Sequence, residues 1–191
     1  ISALALTRGT QEMALAWADI SSGEFSVLLT DSKRLAAELA RLEPREIVFS
    51  DSLRSDKAIE GVLEASGIPL SPQPASRFDS TSAEKRLREH FGVLAFDGFG
   101  AFSRAETASL GGLLDYILLT QVGKIPHLRI PRKEDGQAGL QIDAATRANL
   151  ELSRKLSGER EGSLLSVIDF TVTAAGARLL ASRLGQPLVQ V

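Results

Sequence analysis

Several carboxylates of the 191-residue chain are candidates for metal-dependent hydrolysis. Asp19 stands in the stretch Trp17-Ala18-Asp19-Ile20-Ser21, at the end of an alternating, strand-like pattern. Cleavage with two metal ions needs several carboxylates that converge on ions about 4 Å apart. The other candidates are scattered at loop or helix edges: Glu46, Asp51, Asp97 and Glu106. We therefore predict a structural role for Asp19, in which it accepts hydrogen bonds from the turn at residues 21–23.

The two histidines, His90 and His127, are the next candidates for chemistry. They are far apart in sequence, and neither has an acidic or histidine neighbour at the spacing of metal ligands, so we interpret them as surface or boundary side chains. The sequence has no Gly-x-Ser-x-Gly elbow, which a serine hydrolase of that type would need. Because cysteine is absent, disulfides and thiolate metal sites are excluded. We predict no catalytic, metal-binding or cofactor-binding residue in this chain.

A small basic cluster, Lys85, Arg86 and Arg88, lies on a predicted helix. These side chains are opposite the apolar residues Leu87 and Phe91, so we predict that they face solvent. A solvated helix face is the simplest interpretation, and contact with a protein partner is the functional alternative. The net charge of the whole chain is -2, which does not indicate a general nucleic-acid-binding surface.

The elements that position these residues begin with strands. Large apolar residues alternate with small ones between residues 3 and 29, and turns at residues 8–11 and 21–24 predict an antiparallel meander. Apolar residues on both sides of the second strand indicate a sheet that is covered on both faces. Trp17 lies in the middle of this alternation, so we predict a core side chain and not a base-stacking one.

Strand and helix periods then alternate, which is typical of a mixed sheet with helices on its faces. The predicted elements are a first helix, capped by Thr30 or Asp31 and ended by Pro44, further helices at 57–65, 81–91 and 103–122, and a buried strand at 47–49. Residues 66–77 contain three prolines and are predicted to be a surface connection. The pair Gly111-Gly112 inside the long helix costs about 1 kcal/mol per glycine relative to alanine, which indicates close packing of that turn against the sheet.

The stretch from Gly123 to Gly139 is rich in proline, glycine and charge, and we place the domain boundary and a hinge there. Arg129, Arg132 and Lys133 are interpreted as solvated linker residues. Beyond the boundary the pattern is helical, with predicted N-caps at Asp143, Ser163 and Thr173. The first of these helices is predicted to run to Gly158, with Leu152 and Leu156 facing inward.

Three stretches resemble the MutS family of DNA mismatch-repair proteins, and the resemblance covers nearly the whole chain. The most specific is Asp143-Ala144-Ala145-Thr146-Arg147-Ala148-Asn149-Leu150-Glu151-Leu152, continued by Ile168-Asp169-Phe170-Thr171-Val172-Thr173, which resembles the start of the family's lever region. Asp19-Ile20-Ser21-Ser22-Gly23-Glu24-Phe25 resembles the first hairpin of the connector domain, and Phe91-Gly92 with Gly98-Phe99-Gly100 is the third stretch. Arg183 departs from the family pattern, which usually has Trp there.

The resemblance implies an α/β ribonuclease-H-like connector domain at residues 1–122, followed by an all-α, truncated lever and core segment at residues 123–191. It implies a non-catalytic module that couples mismatch-binding and ATPase domains and contacts MutL, for which Lys85, Arg86 and Arg88 are the candidate surface. The parent protein is expected to be a cytoplasmic homodimer that binds mismatched DNA and uses ATP and Mg. No apolar run approaches the roughly 20 residues that a membrane span needs.

Two motifs of such a parent protein are not found in this chain. A phosphate-binding loop needs Gly-x-x-x-x-Gly-Lys-Ser/Thr, but Gly123-Lys124 is preceded by Leu118 where the first glycine belongs. The family's base-stacking Phe-x-Glu is also missing, so we expect a piece excised from a longer chain that neither hydrolyses ATP nor finds mismatches by itself. The alternatives are a ribonuclease-H-like, metal-dependent nuclease or resolvase that depends on Asp19, and a simple scaffold between two domains.

Overall fold

The computed structural model describes residues 12–94, 100–121, 127–135, 140 and 142–187, together with the backbone of residues 3–8. Some sequence predictions fall outside these residues: residues 9–11 of the first turn, the candidate Asp97, and the Gly123-Lys124 pair. No described helix is both long enough and apolar enough to cross a membrane.

The elements follow one another in an order close to the predicted alternation. They are β1 (Ala3–Arg8), β2 (Met13–Asp19), β3 (Glu24–Thr30), α1 (Leu35–Leu42), β4 (Ile47–Ser50), α2 (Lys57–Ala65), β5 (Leu70–Gln73), α3 (Ser80–Phe91), α4 (Arg104–Thr120), β6 (Arg132–Lys133), α5 (Ala144–Asn149), α6 (Leu164–Ile168) and α7 (Ala174–Gly185). Short 3₁₀ turns at Asp51–Ser55 and Ala75–Phe78 follow β4 and β5.

The chain forms two compact units. The first, which we call the sheet unit, comprises Ile1–Leu35 and Pro44–Gly136, and the second, the helical unit, comprises Ala36–Glu43 and Gln137–Val191. Helix α1 therefore belongs almost wholly to the helical unit, although it lies between two strands of the sheet unit in sequence. The predicted division at residue 123 stays a prediction.

The sheet unit is built on a six-stranded mixed sheet with the order β5-β4-β1-β2-β3-β6. Strands β1, β2 and β3 form the predicted antiparallel meander, with Ala14 of β2 opposite Leu29 of β3. Strand β4 pairs parallel to β1 and β5 parallel to β4, while β6 pairs parallel to β3 at the opposite edge. The predicted mixed sheet with helices is confirmed.

Strand β5 corrects the prediction that the proline-rich stretch is a surface connection. Its backbone pairs with β4, and the Ile47 N–H donates to the Pro69 carbonyl at 2.9 Å. In a parallel ladder alternate residues of an edge strand bond to the neighbour, so Pro72 directs its nitrogen away from β4. Proline is tolerated there because no ladder hydrogen bond is lost at the outer side of an edge strand.

Strand β6 pairs part of the stretch that was predicted to be a boundary and hinge. Leu128 is buried in the core cluster, and the Arg129 and Glu134 N–H groups donate to the carbonyls of Gly23 and Val27, each at 2.8 Å. Gly23 has a φ of +75°, and a Cβ there would lie 2.5 Å from the His127 carbonyl oxygen. Residues 127–134 are therefore part of the sheet unit and not a free hinge.

The core explains the alternation of small and large residues along β2. Its alanines, Ala14, Ala16 and Ala18, lie in one buried cluster with Leu110 and Leu114 of α4. Small side chains on that face let the helix approach the sheet closely. Trp17, on the other face, is only 1% exposed, and its Nε1 donates to Glu24 Oε1 at 3.1 Å, so the predicted core position is confirmed.

Helix α4 begins with a capping box, in which Ser103 accepts from the Glu106 N–H and Glu106 accepts from the Ser103 N–H. Helix α3 begins at Ser80, one residue before its predicted start, because Asp79 is its N-cap. Close packing at the glycine pair of α4 is confirmed, but its partner is not the sheet. A Cβ on Gly111 would meet Ala83 of α3 and one on Gly112 would meet the Phe78 ring.

The helical unit keeps the three predicted N-caps, Asp143, Ser163 and Thr173. Its first helix is much shorter than predicted, because α5 ends at Asn149, and turns rather than a helix lead to Gly158. Leu152 is buried as predicted, whereas Leu156 is 70% exposed. Short helices are held here by their caps, since six residues are too few to be stable alone.

Candidate functional site

The candidate partner surface lies on α3. The N-cap of this helix and its buried apolar face hold it in position. Asp79 accepts from the Ser82 N–H at 2.8 Å, and Ala83 and Leu87 are fully buried. The hydrogen bonds from Ser82, with the nearby charges of Arg104 and Arg86, hold the pKa of Asp79 below its usual value. The ionised carboxylate is favourable at a helix N-terminus, so Asp79 stabilises the first turn of α3.

The structure separates the three residues of the predicted basic cluster. Lys85 and Arg88 are exposed, and each pairs with a glutamate one turn away, at 3.8 Å to Glu89 and 4.0 Å to Glu84. Exposed pairs of this kind contribute little stability, so these cations can exchange their partners for charges on another protein. The exposed face of α3 is thus a mixed-charge surface.

Arg86 does not face solvent as predicted. Its Nη2 donates to the Arg77 carbonyl at 2.6 Å, and its Nε is buried. Arg77 in turn pairs with Asp115 of α4 at 2.6 Å. Arg86 therefore ties α3 to the preceding 3₁₀ turn, and the accessible part of the cluster consists of Lys85 and Arg88.

Asp19 has the structural role that we predicted. Its Oδ1 accepts from the Ser21 N–H at 2.9 Å and from the Ser21 hydroxyl at 2.6 Å, and its carbonyl accepts from the Gly23 N–H at 2.8 Å. These bonds close the turn between β2 and β3. No group of three or more potential metal ligands occurs among the residues that the structure describes.

The other described carboxylates are engaged at separate places. Glu46 accepts from the Tyr116 hydroxyl at 2.6 Å and from the Ser71 hydroxyl. Burial and this hydrogen bond to Glu46 raise the pKa of Tyr116. Asp51 is exposed in the first turn of the 3₁₀ helix that follows β4. The arrangement binds elements together and offers no converging set of metal ligands.

Glu106 is fully buried and has a partner that the sequence did not reveal. Lys133 Nζ lies 2.8 Å from Glu106 Oε2, which also accepts from the Ser103 N–H at 2.7 Å. Lys133, although exposed, is therefore the counter-ion of a buried carboxylate and not only a linker residue. The Ser-x-x-Glu spacing at Ser103 was a readable signal that Glu106 has a capping role. Nothing local pointed to Lys133.

The two histidines are closer in space than their sequence positions indicated. The ring of His90 meets the edge of Phe91 at 4.8 Å between centroids, and Phe91 stacks on Phe25 at 6.2 Å. Burial, and then the electrostatic effect of His127, lower the pKa of His90. His127 is exposed and His90 is half-buried, which agrees with the prediction of surface or boundary side chains.

We expect the stability of the chain to fall between about pH 7.5 and pH 5.5, and we expect His90→Gln to reduce that fall. The pKa of His90 is lowered in the folded chain, so the unfolded chain binds the proton first as the pH falls through 6.5. The contribution of neutral His90 is present above that pH and is lost below it. Urea unfolding, followed by the fluorescence of Trp17, measures the slope, and equal slopes for the two proteins would contradict the expectation.

Two family models match the chain, MutS domain II over residues 1–129 and MutS domain III over residues 145–191. The chain belongs to the MutS family. A protein described as DNA mismatch repair protein MutS, from Roseobacter denitrificans, is 50% identical over 174 residues. The match covers 91% of this chain and 20% of that relative, so the chain spans about a fifth of the length of the MutS protein.

The MutS domain II match ends at residue 129, before β6, although β6 completes the same sheet. The MutS domain III match begins at residue 145, one residue inside α5. Strands β1 to β5 thus lie within the MutS domain II match, and α5, α6 and α7 span most of the MutS domain III match.

Proposed function

We propose that this chain is the non-catalytic coupling module of a MutS mismatch-repair protein, connecting its mismatch-binding and ATPase domains and contacting MutL. The presence of MutS domain II and part of MutS domain III in one chain carries this proposal. A close-packed α/β body transmits movement well, because such interiors are hardly compressible. The helical segment that follows it is the element through which movement would arrive.

The ribonuclease-H-type fold of the connector belongs to this proposal. It is supported by the sheet order, in which a three-stranded antiparallel meander continues on the other side of β1 as two parallel strands, β4 and β5. Helices α3 and α4 pack together, and α4 also packs on the sheet. A fold alone does not imply catalysis, so the coupling role rests on the family and not on the sheet.

The remaining properties of a complete MutS protein are proposals for the parent and not for this chain. We propose that the parent is a cytoplasmic homodimer that binds mismatched DNA, and that ATP and Mg bind to its ATPase domain. The residues of this chain would hold neither. Their role is to transmit the conformational change that accompanies nucleotide binding to the surface that contacts MutL.

The pivot of this movement should lie after Glu134. The sequence favoured a hinge anywhere between residues 123 and 139, but residues 127–134 are bonded along β3 and carry the Lys133–Glu106 ion pair. A movement of domains needs a few residues that absorb the change in backbone angles. If the angle between the sheet unit and the helical unit were the same in all nucleotide states of the parent, the coupling role would fail.

We expect Lys85→Glu with Arg88→Glu to weaken MutL binding by a complete MutS protein that contains this chain by about tenfold, because exposed interface charges set the association rate. Equilibrium binding at low and moderate salt measures the change. Arg86 is left intact, because its replacement would break the bond to Arg77. Lys57→Glu, on the exposed start of α2, is the matched control. Unchanged binding in the double variant would place the MutL surface elsewhere.

A further inference from the structure

The residue that follows helix α1 has a backbone conformation that is unfavourable for a glutamate. Glu43, directly after the helix, has a φ of +43°, and its N–H donates to the Leu39 carbonyl at 3.0 Å. Glycine or asparagine is the usual residue at such a helix end. A glutamate in the left-handed region persists only where its surroundings determine it, and such residues are often functional.

The surroundings of Glu43 are residues of the helical unit. Its carboxylate accepts from the Ser153 hydroxyl, and Arg154 Nε lies 3.5 Å from its second oxygen. Ser153 and Arg154 follow α5 and the buried Leu152. The side chain thus binds the part of the chain that starts the MutS domain III match, which gives a reason for glutamate at this position.

Arg41, at the end of α1, makes a second connection. Its Nε pairs with Glu38 at 2.7 Å, and its Nη1 donates to Gln186 Oε1 at 3.0 Å. Gln186 caps the C-terminus of α7. The end of α1 therefore contacts the helical unit at two places, the residues that follow α5 and the end of α7.

Arg147 of α5 completes the group. It is 8% exposed, its Nη2 donates to the Gly185 carbonyl at 2.7 Å, and its Nε is buried without a hydrogen-bond partner. Burial, and then the charge of Arg41, lower the pKa of Arg147, while the carboxylates of Glu38 and Glu43 act in the opposite direction. Two guanidinium groups and two carboxylates thus act on one another here, with Arg41, Glu38 and Arg147 largely buried and Glu43 exposed.

We propose that α1 is an anchor of the helical unit, with Glu43 and Arg147 as its positioning residues. The proposal deepens the coupling role and rests on it for its function. The chain passes between the two units three times, after Leu35, after Glu43 and after Gly136. Three connections restrict rotation far more than one linker, because a single linker leaves most directions free.

The anchor identifies where movement of the helical unit would enter the sheet. Helix α1 follows β3 and precedes β4, which lie on opposite sides of the β1–β2 pair. A displacement of α1 with the helical unit would thus act on two strands at once. A hinge after Glu134 alone would act on β6, at one edge.

The test is amide hydrogen exchange on the 191-residue chain, with Glu43→Gly and Arg147→Met as variants. Arg147→Met removes a buried hydrogen bond of a charged group and should speed exchange in α1 by about tenfold. Glu43→Gly removes exposed contacts and should speed it by about threefold. Exchange in β2, the centre of the sheet unit, should not change. Arg178→Met is the matched control, since Arg178 is an exposed arginine of α7.

Glu43→Gly separates an anchor from a simple helix end by the sign of its effect. Glycine relieves the positive φ, so exchange in α1 would slow or stay the same if the side chain had no binding role. That result would overturn the proposal, as would equal acceleration in α1 and β2, which would place α1 in the cooperative unit of the sheet. The measurement uses neither MutL nor nucleotide, so failure of the coupling role would leave it unchanged.

Discussion

Leu114→Ala should lower the free energy of unfolding of the sheet unit by about 3 kcal/mol, the middle of the range for a buried leucine. Leu114 is 0% exposed and lies in the cluster that α4 forms with the alanines of β2. A cavity in that layer cannot collapse easily, because a strand and a helix hold it from both sides. Leu156→Ala should change stability by less than about 0.5 kcal/mol, because the side chain is 70% exposed.

The two variants can be compared in one experiment. The chain has a single tryptophan, Trp17, which is buried in β2, so its fluorescence reports on the sheet unit, whereas circular dichroism reports on both units. Urea unfolding should show a lower midpoint for Leu114→Ala in both signals. Similar shifts for Leu114→Ala and Leu156→Ala would contradict this division of the core. Because there are two units, the transition need not be two-state.

Gly111→Ala should destabilise the chain by about 1 to 3 kcal/mol, although alanine is the better helix former by about 1 kcal/mol. A Cβ at Gly111 would lie 2.2 Å from the Ala83 Cβ and 2.6 Å from the Ala83 Cα. The second contact is with backbone, so α3 must move away from α4 to make room. The overlap therefore outweighs the gain in helix propensity.

Gly61→Ala is a control with the opposite expected sign. Gly61 lies in α2 and is exposed, and no atom outside its own helix turn lies within 4 Å of the position that a Cβ would take. Alanine there should raise stability by roughly 0.5 to 1 kcal/mol. Stabilisation by Gly111→Ala as well would show that the close approach of α3 and α4 is not needed. Thermal unfolding of the two variants beside the unmodified chain measures both effects.

The same glycine bears on function, because α3 carries Lys85 and Arg88. Displacement of α3 by Gly111→Ala would move the mixed-charge surface relative to the sheet. A complete MutS protein with this change should therefore lose affinity for MutL even though no surface residue is altered. In the same protein Gly61→Ala should leave the affinity unchanged.

Features that depend on near neighbours in the chain could be predicted from the sequence. The period-two alternation and its turns predicted the antiparallel meander, and the period and glycine positions predicted α2 from Lys57 to Ala65. Caps act within three residues, which is why Asp143, Ser163 and Thr173 were correctly assigned. The family could also be identified, because the order and spacing of residues in long motifs can be recognised without any knowledge of their contacts.

Features that depend on distant parts of the chain were decided only by the tertiary structure. Proline-rich residues became strand β5 because β4 pairs with the side of the strand opposite to the one toward which Pro72 directs its nitrogen. Lys133 became the counter-ion of a buried carboxylate because α4 places Glu106 beside it, 27 residues away in sequence. The glycine pair was correctly read as a close approach, but the sequence could not tell that α3, and not the sheet, approaches it.

The candidate site divides in the same way. Local hydrogen bonds fixed the role of Asp19, and its turn was visible in the sequence. The burial of Arg86, the approach of His127 to His90 and the place of α1 in the helical unit were not visible, because each is set by packing between separate elements. A residue's neighbours along the chain determine its local conformation, whereas its partners in space depend on how the whole chain closes around its core.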